Sequence, residues 1–440
     1  MMSRILAAAV LVASAVIAWL AITFALVARA MQAAIALSLV YVAYLALRGY
    51  RAMRDARHAT PAVPAVPGGR PWVTVVVAAR NEAPVISATV AALAAQDYAD
   101  GGAAHFDVVV VDDGSSDGTG DLARDVAAAH PDRVQVMRRE PGDGPRTKAA
   151  VLNFAHAQTR GEVIGVVDAD ARVTPDFLAR VMEAWQAEPD AVAVQAQRRS
   201  RNLAAGWLAA AQDAELLMDM ASQCGRRAID GTAELRGNGM FVRRGALERL
   251  GGWDASALTE DLDLSTRLVA AGERIALAPQ ADVGEEAVVT LLALWRQRLR
   301  WAEGSLRRLM QLGPGLMREP RVPLARKLDF LAFTGEFVIP PLFVTTIIAS
   351  LLTIPMPRPA DWTVPISLFV GYGLGTFLLA LAGLAAHGQR GAGLIGRATR
   401  GSLFLSHWLL VVPGALLRIA IGRHATTFVQ TPRFGHLPHR

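Results

Sequence analysis

Two kinds of apolar pattern share this chain: long uncharged stretches near its ends, and short β-branched runs between them that stop at acidic residues. Ile5 to Ala28 carries no charge and is long enough to cross a bilayer. Arg29 interrupts it, and Ala30 to Leu47 makes a second, barely sufficient span. A cleaved signal peptide with Ala28-Arg29-Ala30 as its processing site is the competing reading. The apolar part exceeds a usual signal core and a second span follows at once, so a helical hairpin is expected. Apolar sequence returns at Phe337 to Ile354, with a kink expected at Pro340-Pro341, and at Trp362 to Ala386. Ser402 to Leu417 is shorter and broken by Pro413-Gly414, leaving open whether it spans, re-enters or lies at the interface.

From Pro71 to about Leu312 no long apolar span occurs, and strand and helix signals alternate. Trp72 to Ala79, Val108 to Val111 and Val163 to Val167 read as strands buried on both faces, as a parallel sheet requires. Each ends in polar sequence: Arg80-Asn81-Glu82, Asp112-Asp113-Gly114-Ser115-Ser116, and Asp168-Ala169-Asp170. In open α/β sheets ligands sit beyond the carboxyl ends of strands, which places these residues where a ligand would be. A calcium loop over Asp113, Ser115, Asp117 and Gly118 is excluded, because its twelfth position is Arg124 rather than a bidentate Glu. Capping of the helices that follow is the alternative for the first two stretches. Asp168 and Asp170, one residue apart, can chelate a hard divalent cation that bridges phosphates. Two uncompensated acidic strand ends near each other would repel, so a bound cation or nucleotide is expected there.

Charge sharpens this picture. The chain carries a formal +6 and a pI near 10.0, and Arg48, Arg51, Arg54 and Arg57 follow the second span. That marks their side as cytoplasmic and explains the basicity without a nucleic-acid site, for which no aromatic-studded basic patch exists. The only cysteine, Cys224, excludes intrachain disulfides and cysteine-ligated zinc clusters. Lys148 follows a loop with Gly142 and Gly144 and opens a helix, where it is suited to phosphate oxygens. No Walker A pattern is present.

Three further stretches carry candidate chemistry. Gly237-Asn238-Gly239-Met240 precedes a short strand and takes no assignment. Thr259-Glu260-Asp261 opens a helix, with Thr259 as N-cap and the acids complementing the helix dipole, or with Asp261 as a general base. Leu291 to Leu312, which contains Trp295 to Trp301, mixes apolar and basic residues like a helix lying on a membrane surface, where Arg300 could face phosphates and Trp301 stack on a sugar.

In order, Asp112-Asp113, Asp168-Ala169-Asp170, Thr259-Glu260-Asp261 and Gln297-Arg298-Leu299-Arg300-Trp301 resemble the motifs of the membrane-bound, inverting glycosyltransferases of family 2, the group of cellulose, hyaluronan and poly-N-acetylglucosamine synthases. The resemblance implies an α/β fold: a GT-A, Rossmann-like cytoplasmic domain inserted between N- and C-terminal transmembrane helices. It implies a UDP-sugar donor and Mg²⁺ or Mn²⁺ held by Asp168 and Asp170. Ala79, Asn81, Glu82, Asp112, Asp113, Lys148 and Asp168 would bind the nucleotide-sugar. Asp261, beside Glu260, would deprotonate the acceptor hydroxyl, and Gln297, Arg300 and Trp301 would grip diphosphate and acceptor. The implied layout is 1–50 membrane hairpin, 51–70 basic and Pro-rich linker, 71–287 catalytic domain, 288–328 interface helices, 329–422 membrane region and 423–440 basic tail.

The run Trp295 to Gly304 looks closest to poly-N-acetylglucosamine synthases, so transfer of GlcNAc or Glc to a growing β-linked polysaccharide, coupled to export and served by a small accessory membrane subunit, is the first expectation. The alternative is transfer of one sugar to a membrane lipid, as ceramide-glucosyltransferase-like enzymes do. A non-catalytic binding subunit is disfavoured because every motif keeps its acids. The tail Phe428 to Arg433 loosely resembles a cellulose-synthase gating loop. A re-entrant or interfacial Ser402 to Leu417 would put that tail and the Ala386–Gly401 loop both in the cytoplasm.

Overall fold

The computed structural model describes residues 2–59, 69–140, 142–356 and 362–423. The Pro-rich spacer at 60–68 and the tail at 428–433 lie outside the described residues. The chain divides into a helical unit of Met1–Arg54, Leu217–Thr232 and Thr290–Thr426 and a sheet unit built on Asp55–Leu216 and Ala233–Val289.

The helical unit starts with α1 (Met2–Thr23) and α2 (Ala25–His58). The interruption falls at Phe24, not at Arg29, which sits inside α2. One arginine with a long stem keeps its backbone hydrogen bonds and its charge can reach a polar level, so it does not end a helix.

The sheet unit is eight-stranded. Its strands are β1 (Val73–Ala79), β2 (Phe106–Asp112), β3 (Val134–Arg138), β4 (Val163–Asp168), β5 (Ala191–Ser200), β6 (Met240–Arg243) and β7 (Arg274–Glu285), with Arg172–Val173 as a short edge strand. The order across the sheet is β3-β2-β1-β4-β6-β5-β7 and then the edge strand. β1 pairs in parallel with β2 and β4, while β6 runs antiparallel to β4 and β5. The valine runs are buried because helices α3 (Ile86–Ala94), α4 (Thr119–Ala129), α5 (Lys148–Gln158) and α6 (Phe177–Ala187) cover the sheet: Val75, Val77, Val108, Val110 and Val167 share one core with Leu93, Phe177 and Phe241. Gly165 in β4 admits the Phe241 ring, which would stand 2.5 Å from a Cβ there. Strands β5 and β7, the longest in the sheet, were not individually placed by the sequence pattern. Nor was α7 (Trp207–Arg227).

Register sets the site. Ala79 lies opposite Asp112 and Ala78 opposite Asp168, so β1 stands between the two acidic strand ends. Two strand spacings, roughly 10 Å, separate them. The repulsion expected between neighbouring acidic ends is therefore small. Two short helices, α8 (Arg244–Arg249) and α9 (Glu260–Ala270), close the unit. Thr259 occupies the N-cap position of α9 but makes no side-chain cap hydrogen bond, unlike the capping expected of it.

The helical unit resumes with α10 (Leu291–Arg318), α11 (Leu324–Thr334), α12 (Ile339–Leu352), α13 (Thr363–Ala386), α14 (Gly391–Leu405) and α15 (Trp408–Ala420). α1 packs on α12 and α15. α2 meets α13, from Gln32 bonded to Thr363 to Leu39 and Val42 against Gly375. Among the described residues five helical segments are long and apolar enough to cross a membrane: Met2–Thr23, Ala25–His58, Leu324–Leu352, Thr363–Ala386 and Gly391–Ala420. The last is interrupted at Ser406–His407, while Pro413, where the break was expected, sits inside α15. Pro413 removes a single helical hydrogen bond, to Leu409, and one such loss does not end a packed helix.

Candidate active site

The loop after β2 is closed by its own charges. Asp112 is fully buried, and its carboxylate accepts the Ser115 N–H at 2.8 Å and an Arg138 guanidinium N–H at 3.0 Å. Asp113 accepts from Arg139 at 2.7 Å, and Arg139 also donates to the Pro145 carbonyl. Both arginines stand at the end of β3, the neighbouring parallel strand. Asn81, in the left-handed region with φ 53°, accepts the Ser116 N–H at 3.0 Å and donates its own N–H to Ser115 Oγ. The Glu82 N–H reaches Thr119 Oγ1 at 2.8 Å. Ala79, Asn81, Glu82, Asp112 and Asp113 are thus one hydrogen-bonded rim at the ends of β1 and β2.

The second cluster forms around Lys148. Thr147 caps α5 by accepting the Ala150 N–H, which aims Lys148 from the first turn. Its Nζ donates to Asp168 Oδ1 at 2.5 Å and lies 3.7 Å from Glu260 Oε1. Burial pulls the ammonium down, but the Asp168, Glu260 and Asp261 charges outweigh it and hold the lysine above its ordinary range. Burial pushes the Glu260 carboxyl up, against the lowering effect of Lys148. Asp261 Oδ1 accepts the Leu262 N–H, while Oδ2 faces Gly237, where an added Cβ would stand 3.1 Å away.

Two residues that the sequence left without a role hold this cluster. Asn238 Oδ1 accepts the Asp168 N–H at 3.1 Å, and its flanking Gly237 and Gly239 both take positive φ. Gly239 has no room for a side chain, since Val283 would lie 2.7 Å from a Cβ. Asn153, on α5 beyond Lys148, grips the Trp253 backbone with both ends of its amide at 2.7 and 2.9 Å. That fixes the segment leading into α9. A glycine-flanked asparagine at a strand start was the available signal for Asn238; Asn153 had none.

Asp170 is 5 % exposed and accepts the Glu286 N–H at 3.0 Å. Among the described residues no three His, Cys, Asp or Glu side chains form a ready metal cage. Two carboxylates with phosphate oxygens to complete the sphere are the set that Mg²⁺ or Mn²⁺ uses beside a diphosphate, so Asp168 and Asp170 fit such an ion. Gln297, Arg300 and Trp301 lie on α10 in the helical unit.

The profile of the family described as Glycosyltransferase like family 2 matches residues 70–304. The chain belongs to the family 2 glycosyltransferases. The family assignment makes it a hexosyltransferase with a GT-A fold. Over 368 residues, 82 % of this chain and 74 % of the relative, it is 33 % identical to beta-monoglucosyldiacylglycerol synthase of Synechocystis sp.. It is 28 % identical to the poly-beta-1,6-N-acetyl-D-glucosamine synthase of Staphylococcus aureus over 57 % of this chain and 59 % of that protein. The processive polymer-synthase group expected from the Trp295 to Gly304 run therefore gains no specific support. In fold, a Pyrobaculum calidifontis mannosyltransferase, solved with GDP-Man and Mn²⁺, superimposes with a TM-score of 0.58 at 23 % identity, covering 90 % of this chain and all of that one.

Proposed function

We propose that this glycosyltransferase moves a single glucosyl residue from UDP-glucose to the free hydroxyl of diacylglycerol in the membrane. The observation that carries the reading is the extent of its likeness to beta-monoglucosyldiacylglycerol synthases: 368 residues, against 257 for the polymer synthase. It favours one-sugar transfer to a lipid over the polysaccharide elongation expected first. The five candidate spans among the described residues also suit an enzyme whose acceptor is already in the bilayer and which needs no export channel.

In this reading Asp261 Oδ2 takes the proton of the lipid hydroxyl, the freed oxygen forms a bond to the anomeric carbon, and the bond from that carbon to the diphosphate oxygen breaks. UDP leaves with the electron pair, and attack from the opposite face turns an α-linked donor into a β-glucoside. Lys148 shifts from Asp168 toward phosphate oxygens as the donor binds. A divalent ion held by Asp168, Asp170 and the diphosphate would supply neutralisation of the leaving group. The rim of Ala79, Asn81, Glu82, Asp112 and Asp113 receives the nucleoside, and Gln297, Arg300 and Trp301 receive the acceptor. In the same reading the sheet unit works in the cytoplasm, the side that the basic run Arg48, Arg51, Arg54 and Arg57 after the second apolar stretch marks.

The test is reconstitution of the purified chain in diacylglycerol-containing vesicles with radiolabelled UDP-glucose or UDP-GlcNAc, followed by separation of lipid from polymer. A single labelled glycolipid, formed from UDP-glucose, is expected. Label in material that grows with time and resists lipid extraction would overturn the reading.

A further inference from the structure

Along α10 a buried position recurs every fourth residue: Leu294, Arg298, Ala302, Leu306 and Met310. Four of these suit the packed stripe of an amphipathic helix. The exception is an arginine only 2 % exposed. A buried guanidinium is unfavourable unless its surroundings answer it. Here they are aromatic. The Arg298 Cζ lies 4.1 Å from the Trp301 ring centroid and 5.9 Å from that of Trp408, both within cation–π range. Its guanidinium also donates to Gln297 Oε1 at 3.3 Å. Arg298 thus ties together two members of the Gln297-x-x-Arg300-Trp301 motif and a tryptophan from the far end of the chain.

The interruption between α14 and α15 is what delivers Trp408. Tyr372 donates its hydroxyl to the Leu405 carbonyl at 3.0 Å, and Ser402 donates to the Gly373 carbonyl at 2.8 Å. The His407 ring packs between Phe404, 4.7 Å away, and Trp408, 5.3 Å away. Tyr372 and the His407 ring nitrogen, which meets the Phe404 carbonyl at 2.6 Å, therefore answer the end of α14, and the chain restarts with Trp408 as the first residue of α15. α15 is then locked to α10 through Ala302, Leu306 and Met310 against Val411, Ala415 and Ile419.

We infer that Trp408 and Arg298 are positioning residues for Trp301: the guanidinium, held against both indoles, fixes the plane of the Trp301 ring on which the lipid acceptor seats. The C-terminal membrane helices thereby set acceptor affinity. This rests on the reading that Trp301 contacts the acceptor.

The test measures KM for diacylglycerol and for UDP-glucose separately, with the full chain in vesicles. Trp408→Ala is expected to raise the acceptor KM about tenfold, the scale of a desolvated cation–π contact, with donor KM and kcat within about twofold. Trp408→Phe, which keeps an aromatic face, should recover most of the loss. Arg298→Lys, which keeps the charge but not the flat guanidinium, should raise acceptor KM in the same direction and serves if Trp408→Ala does not fold. An unchanged acceptor KM in the folded variants, or a fall in kcat alone, would overturn the inference. The Trp301→Ala variant separates the two levels: if it also leaves acceptor KM unchanged, the acceptor role of Trp301 fails; if it raises acceptor KM while Trp408→Ala and Arg298→Lys do not, only the stack fails.

Discussion

The loops after β2 and β4 are alike in sequence, each a valine run that stops at two acids, and unlike in what answers those acids. After β2, Asp112 is wholly inside the protein and spends its oxygens on Ser115 and Arg138, while Asp113 is held by Arg139. After β4, the Asp168 side chain is 32 % exposed and shares Lys148 with Glu260 and Asp261. The first pair builds a rim; in the second, Asp170 is likewise buried on the Glu286 N–H, while Asp168 is part-exposed and shares its cation with neighbouring carboxylates. The four acids look the same as letters, and it is Asp168, part-exposed on a shared lysine, that burial and partners set apart from Asp112, Asp113 and Asp170.

That contrast can be broken by mutation. Asp112→Ala should cost the most stability, about 1–3 kcal/mol, because it takes the acceptor from the Ser115 N–H and one partner from Arg138 and leaves a gap in a fully buried position; thermal unfolding of the detergent-solubilised protein should show a loss of Tm. A folded Asp112→Ala protein of normal stability would erase the distinction. Asp168→Ala and Asp170→Ala should each leave the protein folded and lower turnover by about a hundredfold or more, through weakened handling of the leaving diphosphate. Near-normal activity in Asp170→Ala would remove that residue from the metal assignment. Lys148→Met should raise the KM for the donor by about tenfold, since a charge-assisted phosphate contact is lost, and steady-state kinetics across UDP-glucose concentrations would show it. Asn238→Ala should have the smallest effect, roughly threefold to tenfold in rate, because it removes two neutral-amide hydrogen bonds, one from the Asp168 N–H and one to Glu285, and no charge.

Much of the sheet unit was legible because its strands are buried on both faces and so read as unbroken apolar runs. The acid motifs were legible for the same reason: polar residues that interrupt such runs stand out. What was not legible depends on which strand is neighbour to which. Arg138 and Arg139 look like ordinary exposed cations until β3 pairs with β2. The expected repulsion between acidic ends dissolved once β1 was found between them. Asn238 was noticed but unassigned, since its partner is a backbone N–H contributed by another strand. In the long apolar helices the strongest local signals for an interruption are Arg29 and Pro413, whereas the interruptions occur at Phe24 and Ser406–His407. At the second of these the Leu405 carbonyl is answered by Tyr372, a residue 33 positions away that no local pattern encodes.

In the proposed mechanism Asp261 takes the proton while the donor is held by other residues of the same cluster, so the two should separate in one variant. Asp261→Asn keeps the size of the side chain and removes its basicity. Calorimetric titration of UDP-glucose into this protein, paired with its rate of glucolipid formation, is the direct measurement. Binding within a few-fold of the unmodified enzyme, with transfer reduced by about a hundredfold or more, is the predicted result. Binding and transfer lost together would contradict it and leave Asp261 as a support of α9 alone.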